Sequence, residues 1–448
     1  MQTEVYEKNI NDYTWLFGLL SGIKAETSAI DFADWSSLMW HETFFRAQTH
    51  GIAPLLYKSF AEVGMLEEID PRFRNYIEEQ YYLNTRRVNK ISTILKAILE
   101  KAGQLAIPVM PLKGAILIND FYTDPGLRPM SDLDLLIVPE DELKITEMLQ
   151  DSGYHLLSDS YHHLQFCKGE EPVSFNGEHP DNPIIIELHK EVNWPIGPLQ
   201  FDITKEVWAG AEVGWQGHSS AYCPKLESLL LTLICHASRN MYEGQMRAIQ
   251  LYDIGLISAL MSDSQWSKLL AVISDSGLER IAYTAFTAVK SFTDYDPPEM
   301  VLENHKQVVP PALRRQVKNQ SLDSLITVNE YKTLFLRLTG KGANKLPVSI
   351  AIYEYILNQV RYSMQLRWFF PGREMLMAIA ILLKPSEGKK NKWGPFFAYL
   401  GGWLITPLAQ IMLFIAGLRI REKILHYLRA SLLRHDYETG QISEESLK

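Results

Sequence analysis

The most constraining feature of this chain is a pair of carboxylates, one residue apart, at the start of the apolar run Asp132-Leu-Asp134-Leu-Leu-Ile-Val. Successive side chains of a β-strand point to opposite faces, so Asp132 and Asp134 share one face. Leu133 and Leu135 then point to the other face, into a hydrophobic core. Two like charges this close repel each other, and a divalent cation bound between them removes that cost. The run therefore predicts a strand that carries a metal site on one face.

A third carboxylate lies on a second apolar segment, Ile184-Ile-Ile-Glu187-Leu-His189, in which Glu187 and His189 again share a face. A buried Glu on a strand needs a partner, and a cation held by Asp132 and Asp134 supplies one. We therefore expect three carboxylates around one or two Mg²⁺ (or Mn²⁺) ions. His189 is a candidate substrate-binding residue, with two alternatives: it orients Glu187, or it caps the end of the strand.

A glycine turn upstream of the paired carboxylates suits phosphate groups. Gly114 follows a predicted strand at 107–112 and precedes a predicted helix at 115–122. Without a Cβ, Gly114 lets the backbone approach a phosphate, and the N-terminus of the helix attracts the anion. Lys113 offers a point charge to a phosphate, and Arg128 offers a bidentate clamp. Together with the acidic set, these residues indicate metal-assisted phosphoryl or nucleotidyl transfer.

In this order the residues resemble the nucleotidyltransferase superfamily of DNA polymerase β type: a glycine turn, two Asp separated by one apolar residue, and a distant third acid. More closely, the chain resembles a bacterial branch of largely uncharacterised nucleotidyltransferases, over roughly residues 35–259. The matching segments are Leu-Lys-Gly-Ala at 112–115, Arg128, the acidic run 132–136 and Glu-Leu-His at 187–189. The resemblance implies that Asp132, Asp134 and Glu187 bind metal and that Gly114 lies at the triphosphate.

The resemblance also implies an activity. It predicts a Mg²⁺-dependent enzyme that transfers a nucleotidyl group, with AMP as the first candidate, from a nucleoside triphosphate to an unknown acceptor. The Gly-Ser pair of the wider superfamily is Gly114-Ala115 here, so a hydroxyl contact to phosphate is missing. Two alternatives stay open. One is a non-catalytic scaffold that binds a nucleotide or a membrane partner. The other is a membrane-recruited enzyme that acts on a lipid-linked or cell-envelope glycan.

Four further residues are candidates for substrate binding. A later part of the family pattern is a helix with a His, followed by an Arg and an Asp, and it is matched by His236, Arg247 and Asp253. His163 begins an alternating strand, so its side chain is able to face the site. Each residue also has an ordinary structural interpretation: His236 as a core histidine, Arg247 with Asp253 as an ion pair, and His163 as the polar face of a strand.

The apolar pattern predicts an α+β fold, with a small mixed β-sheet nucleotidyltransferase core embedded in helical N- and C-terminal regions. Besides the strand at 107–112, strands are predicted at 133–138, 155–157, 162–166 and 184–188. The sequence Asp70-Pro71 predicts the start of a long helix that reaches about residue 101. We expect four regions: a helical region 1–104, a catalytic core 105–224, a helical domain 225–365 and a basic, apolar region 366–448.

Composition bounds the partners and the compartment. The net charge of −9 gives no global basic signature, so no specific nucleic-acid binding is expected. Cys167, Cys223 and Cys235 are scattered and lack zinc-site spacing, which favours a reducing compartment. The first residues carry neither the basic region nor the apolar core of a secretory signal. We therefore expect a cytoplasmic protein.

The C-terminal region raises the question of a membrane. Residues 394–418 form a 25-residue segment without a charged side chain, which is long enough to span a bilayer. Residues 361–448 carry 13 Lys and Arg against 7 Asp and Glu. Three interpretations stay open: a segment that lies on an anionic membrane surface, a transmembrane span, and a buried helical hairpin. Region 366–448 is thus a candidate contact with the inner face of the membrane.

Overall fold

The computed structural model describes residues 32, 35–159, 163–169, 179–194, 201–243, 245–293, 295–318 and 325. The uncharged segment 394–418, and with it the whole region 366–448, lies outside the described residues. Its three interpretations therefore remain predictions. None of the helices described here has both the length and the apolar character that a bilayer crossing requires.

The described chain alternates helices with strands of two sheets. The helices are α1 Ser37–His50, α2 Ala53–Glu62, α3 Pro71–Gln104, α4 Gly114–Ile116, α5 Glu142–Asp151, α6 Thr204–Trp208, α7 Leu226–Glu243, α8 Ala248–Leu260, α9 Asp263–Asp275, α10 Glu279–Phe292, α11 Glu299–Lys306 and α12 Pro311–Lys318. The strands are β1 Val109–Pro111, β2 Asp132–Ile137, β3 His155–Asp159, β4 His163–Cys167, β5 Ile185–His189, β6 Glu212–Val213 and β7 Tyr222–Cys223. A π-helical turn, Leu117–Phe121, continues α4.

The main sheet has five strands in the order β1-β2-β5-β4-β3, and β6 and β7 form a separate two-stranded sheet. Strands β2 and β5 are parallel, whereas the other neighbours in the main sheet are antiparallel. This mixed sheet flanked by helices confirms the predicted α+β fold. The parallel register sets Asp134 opposite Glu187, and Leu136 opposite His189.

The two faces of the main sheet differ in polarity. On one face, Leu133, Leu135 and Ile137 of β2 are fully buried in the main hydrophobic core. The other core residues of that face come from α3, α5, β4 and β5: Val88, Ile91, Leu95, Ile98, Leu99, Ile145, Met148, Leu149, Leu164, Phe166, Ile186 and Leu188. The predicted burial of Leu133 and Leu135 is confirmed. Because strand side chains alternate, the opposite face receives the polar residues of the same strands.

Helix α3 begins where the sequence predicts. The Asp70 carboxylate accepts hydrogen bonds from the backbone N–H groups of Arg72 at 2.8 Å and Phe73 at 3.3 Å. Pro71 occupies the first helical position, where a missing N–H costs nothing. The helix then continues to Gln104, about one turn beyond the predicted end at residue 101, and its apolar stripe packs on the sheet.

One arginine lies within that buried stripe and ties the sheet to the helix. The Arg87 side chain is 1% exposed, and its guanidinium donates only to backbone carbonyls among the hydrogen bonds resolved here. The acceptors belong to the segments that lead into β2 and β5, namely Met130, Ser131, His179, Asn182 and Pro183. Arg87 thereby fixes the starts of the two strands that carry the acidic residues.

The chain divides into two compact units. The first comprises Met1–Trp194, Phe201–Ser238 and Arg247–His305, and it contains both sheets. Within it, α8 packs against α10 and against the π-helical turn that follows α4. The second comprises Pro195–Gln200, Arg239–Met246 and Lys306–Lys448, where the described residues include α12.

Candidate functional site

Two carboxylates and an imidazole converge on the polar face of the sheet. The register of β2 and β5 brings together one ligand atom each from Asp134, Glu187 and His189, all within 4.8 Å of one another. His189 Nε2 lies 2.8 Å from Asp134 Oδ1 and 3.5 Å from Glu187 Oε2. Carboxylate oxygens are preferred ligands of Mg²⁺ and Mn²⁺, and imidazole is a common metal ligand. The geometry therefore makes this group a candidate metal site.

Asp132 lies on the same face but outside that group of ligand atoms. It pairs in the sheet with Ile185, whereas Asp134 pairs with Glu187. Burial, together with the negative charges of Asp134 and Glu187, raises the pKa of Asp132 to about 6. Like charges that share a buried site produce this effect. Asp132 is thus an electrostatic neighbour of the two converging carboxylates.

Asp134 is the most strongly held of the acids. Its side chain is buried, and its Oδ1 accepts a 2.8 Å hydrogen bond from Lys113 Nζ beside the 2.8 Å contact with His189. Burial alone would raise the pKa of Asp134, but Lys113 and His189 hold it well below its usual range. Burial alone would lower the pKa values of Lys113 and His189, but the neighbouring carboxylates raise both. The site is therefore a compact cluster of opposite charges.

Lys113 reaches Asp134 from an unusual backbone conformation. The Leu112 backbone N–H donates to the Asp134 carbonyl at 3.0 Å, which places the next residue beside the acid. Lys113 has φ 46° and ψ −118°, outside the regions that L-residues prefer. Such a conformation costs about 1–3 kcal/mol and is found mainly at functional sites. The strain is consistent with a functional position for Lys113.

An aromatic pair supports the Lys113 side chain. Lys113 Nζ lies 5.0 Å from the centre of the Trp194 ring, within the range of a cation–π contact. The other aromatic partner of Trp194 is His236, whose ring stacks on it at 5.0 Å and 28°. The Gln250 amide nitrogen lies 3.4 Å from His236 Nδ1. The structure thus brings His236 to the site behind Trp194.

Strand β4 supplies the support for Glu187. Gln165 faces Glu187 across the antiparallel pair, and its Nε2 donates to Glu187 Oε1 at 2.7 Å. His163 faces His189, and its Nε2 lies 4.0 Å from Glu187 Oε1. The structure therefore places His163 on the site face. Gln165 was not a candidate, although its position two residues after His163 puts it on the same face.

Arg128 pairs with Asp253 of α8. Arg128 Nε lies 3.0 Å from Asp253 Oδ1, and Arg128 Nη2 lies 2.8 Å from Oδ2. The Tyr122 hydroxyl donates to Asp253 Oδ1 at 2.8 Å. Burial raises the pKa of Tyr122 well above its usual value, and the charge of Asp253 adds to the effect. The structure thus joins two candidate residues that are 125 positions apart.

Arg247 lies elsewhere on the first unit. Its Nε donates to the Thr49 carbonyl at 3.2 Å, and its backbone N–H donates to the Gln250 side chain at 3.0 Å. It lines a surface pocket of about 270 Å³ with residues of α1, α2 and α3 and with Pro129. None of the converging metal-site residues lines that pocket. Arg247 is therefore not part of the acidic cluster.

Gly114 makes room for Arg128. A Cβ at residue 114 would lie 2.6 Å from Arg128 Nη1 and 3.0 Å from Met130 Cε. Gly114 begins α4, and its backbone has no positive φ, so the requirement for glycine here is one of space. Since Asp253 fixes the guanidinium, Arg128 cannot move aside without breaking a buried ion pair.

Gly114→Ala is expected to lower the free energy of unfolding by about 1–2 kcal/mol, because overpacking forces a shift of Arg128 or Met130. We also expect weaker binding of polyphosphate. Urea unfolding and calorimetric titration measure the two effects. The matched control is Gly103→Ala in α3, where a Cβ would meet only Ser219 Oγ at 3.8 Å. Equal stability changes for the two variants would contradict the steric explanation.

Comparison with known proteins adds one match. A family model described as an uncharacterised nucleotidyltransferase matches residues 36–294, which is more than half of the chain. The matched range contains the whole five-stranded sheet and every candidate site residue from Lys113 to Asp253. The resemblance predicted from the sequence is confirmed. Searches of curated proteins and of solved structures gave no significant match.

Proposed function

Because the chain belongs to the family of uncharacterised nucleotidyltransferases, we propose that it transfers a nucleotidyl group from a nucleoside triphosphate to an acceptor hydroxyl or phosphate. AMP, donated by ATP, is the group that we propose first. The observation that carries the proposal is the convergence of Asp134, Glu187 and His189 within 4.8 Å, beside the buried ammonium of Lys113. Metal-assisted nucleotidyl transfer needs acidic ligands and phosphate-binding cations in one place.

The donor set fits Mg²⁺ or Mn²⁺. Asp134 and Glu187 offer carboxylate oxygens, and Asp132 on the same face is proposed as the third acid. If His189 Nε2 carries its proton, it donates to Asp134 and orients that carboxylate, while Gln165 orients Glu187. A bound cation would lower the pKa of the attacking hydroxyl and neutralise charge on the leaving pyrophosphate.

The remaining residues act by positioning and by charge. We propose that Lys113, Gly114 and Arg128 hold the triphosphate, since all three lie at the turn where α4 begins. His163 faces the same side of the sheet and is proposed to contact the substrate. His236 stacks behind Trp194, so we assign it to support of the site and not to direct contact with phosphate.

We propose a cell-envelope glycan as the first class of acceptor to test. The reason lies in the sequence of region 366–448, which combines an excess of basic residues with an uncharged 25-residue segment. Such a region suits an anionic membrane surface, where lipid-linked and envelope glycans are assembled. The acceptor assignment is independent of the metal and phosphate assignments.

The test uses the full-length chain. ATP, CTP, GTP and UTP are titrated with Mg²⁺ by isothermal calorimetry, and pyrophosphate release is followed with fractionated acceptor extracts. We expect Mg²⁺-dependent binding of one triphosphate and release of pyrophosphate with at least one fraction. A folded protein that binds none of the four would overturn the proposal. Metal-dependent binding without turnover on any fraction would instead support the scaffold alternative.

A further inference from the structure

The buried pair of Arg128 and Asp253 has a direction. Asp253 accepts hydrogen bonds from Arg128 Nε and Nη2, which form one edge of the guanidinium. The Tyr122 hydroxyl donates to Oδ1 of the same carboxylate at 2.8 Å. The Asp253 side chain is 1% exposed, so these contacts replace its hydration. The carboxylate is therefore a fixed partner of Arg128, and water does not compete for it.

The opposite edge of the guanidinium faces the glycine turn. Arg128 Nη1 lies 2.6 Å from the position that a Cβ on Gly114 would take. Its recorded hydrogen bond is a long one, 3.5 Å, to the Pro129 carbonyl. A guanidinium is planar and presents its donors in a fixed fork, so anchoring one edge sets the direction of the other.

We infer that Asp253 and Tyr122 are positioning residues that fix Arg128 with its Nη1 donors toward a phosphate of the bound nucleotide at Gly114. The inference rests on the proposed function and deepens it. It moves Asp253 from candidate substrate contact to a role behind Arg128. It also makes helix α8, which is remote in sequence, part of the phosphate site.

A competing role for Asp253 predicts the opposite sign. If Asp253 occupied Arg128 in place of phosphate, removing its charge would free the guanidinium and strengthen anion binding. Two observations favour positioning: the carboxylate engages only the Nε and Nη2 edge, and Tyr122 holds it from a second side. The sign of the change in affinity therefore separates the two roles.

The experiment titrates inorganic tripolyphosphate and, separately, Mn²⁺ into the full-length protein and its variants. For Asp253→Asn we expect the tripolyphosphate Kd to rise about tenfold, the size of one misplaced charge-assisted hydrogen bond. For Tyr122→Phe, which removes only a hydroxyl, we expect a rise of about two- to threefold. Mn²⁺ affinity should stay unchanged in both. Asp275→Asn, the loss of an exposed carboxylate, is the matched control.

A double-mutant cycle tests whether Asp253 acts through Arg128. In an Arg128→Met background, Asp253→Asn is expected to cause no further loss of tripolyphosphate affinity. The inference is overturned by a gain or no change in affinity for Asp253→Asn, by a parallel loss of Mn²⁺ affinity, or by full additivity in the cycle. It is also overturned if the wild type binds no tripolyphosphate. Failure of the proposed function is a separate result: intact, Arg128-dependent tripolyphosphate binding without pyrophosphate release.

Discussion

Asp134→Asn is expected to reduce nucleotidyl transfer by about 10³-fold or more, because it removes the charge on which the site is centred. Asp134 Oδ1 contacts both Lys113 Nζ and His189 Nε2, and Asp134 pairs with Glu187 in the sheet. An amide of the same shape keeps one oxygen for those donors but is a much weaker metal ligand. We expect the free energy of unfolding to fall by only about 1–3 kcal/mol. Pyrophosphate release and urea unfolding measure the two quantities.

Glu187→Gln provides the second variant for this test. It removes the neighbouring carboxylate while Gln165 remains in place, so the same loss of turnover is expected, together with weaker Mn²⁺ binding. Asp275→Asn controls for the loss of a negative charge on the surface. Turnover at the wild-type rate by a folded Asp134→Asn protein would contradict the metal-site assignment. Lost turnover with unchanged Mn²⁺ affinity would locate the defect in Lys113 or His189.

Local periodicity explains why much of this site could be predicted from the sequence. The alternation from Asp132 to Ile137 requires only that the segment be a strand with one buried face, and Leu133 and Leu135 are indeed in the core. The carboxylate of Glu187 in an apolar strand needed a partner, and the parallel pairing with β2 supplies one. The predicted strand boundaries differ from the observed ones by one or two residues for β2, β4 and β5.

Register and long-range pairing explain what the sequence could not show. The offset between β2 and β5 sets Glu187 opposite Asp134 and leaves Asp132 opposite Ile185, so His189 joins the close group in place of Asp132. That offset depends on the loops before both strands. The pairing of Arg128 with Asp253 depends on how α8 packs, which no local pattern encodes. Lys113 has a positive φ, a conformation that favours glycine, so the residue type gives no warning of it.

A signal for Arg87 was present in the sequence. Asn84, Arg87, Val88 and Ile91 recur at helical spacing, so Arg87 falls on the stripe that packs against the sheet. An arginine on a buried stripe needs several acceptors, and loop carbonyls are the usual supply once acidic side chains are absent from the same stripe. The sequence does not show which loops provide them, because their approach is set by the sheet.

Arg87→Met is expected to lower the free energy of unfolding by about 3–5 kcal/mol. Two effects oppose each other: the variant removes a buried charge, which is favourable, and it leaves several backbone carbonyls without their donor. The second effect dominates here, because the guanidinium serves five carbonyls and each buried acceptor left without a donor costs about 1–3 kcal/mol. Urea unfolding measures the total, and hydrogen exchange of the β2 and β5 amides locates it.

The neighbouring residue supplies a matched control for this prediction. Arg86 is exposed and lies 3.9 Å from Asp181, so Arg86→Met is expected to change stability by no more than about 0.5 kcal/mol. Arg87→Lys keeps the charge but offers three donors from a single atom, so we expect an intermediate loss. Equal effects of the Arg86 and Arg87 substitutions would contradict the role of Arg87 as the tie between β2 and β5. Because Asp132 directly follows one of the tied carbonyls, residual folded Arg87→Lys protein should also bind Mn²⁺ more weakly.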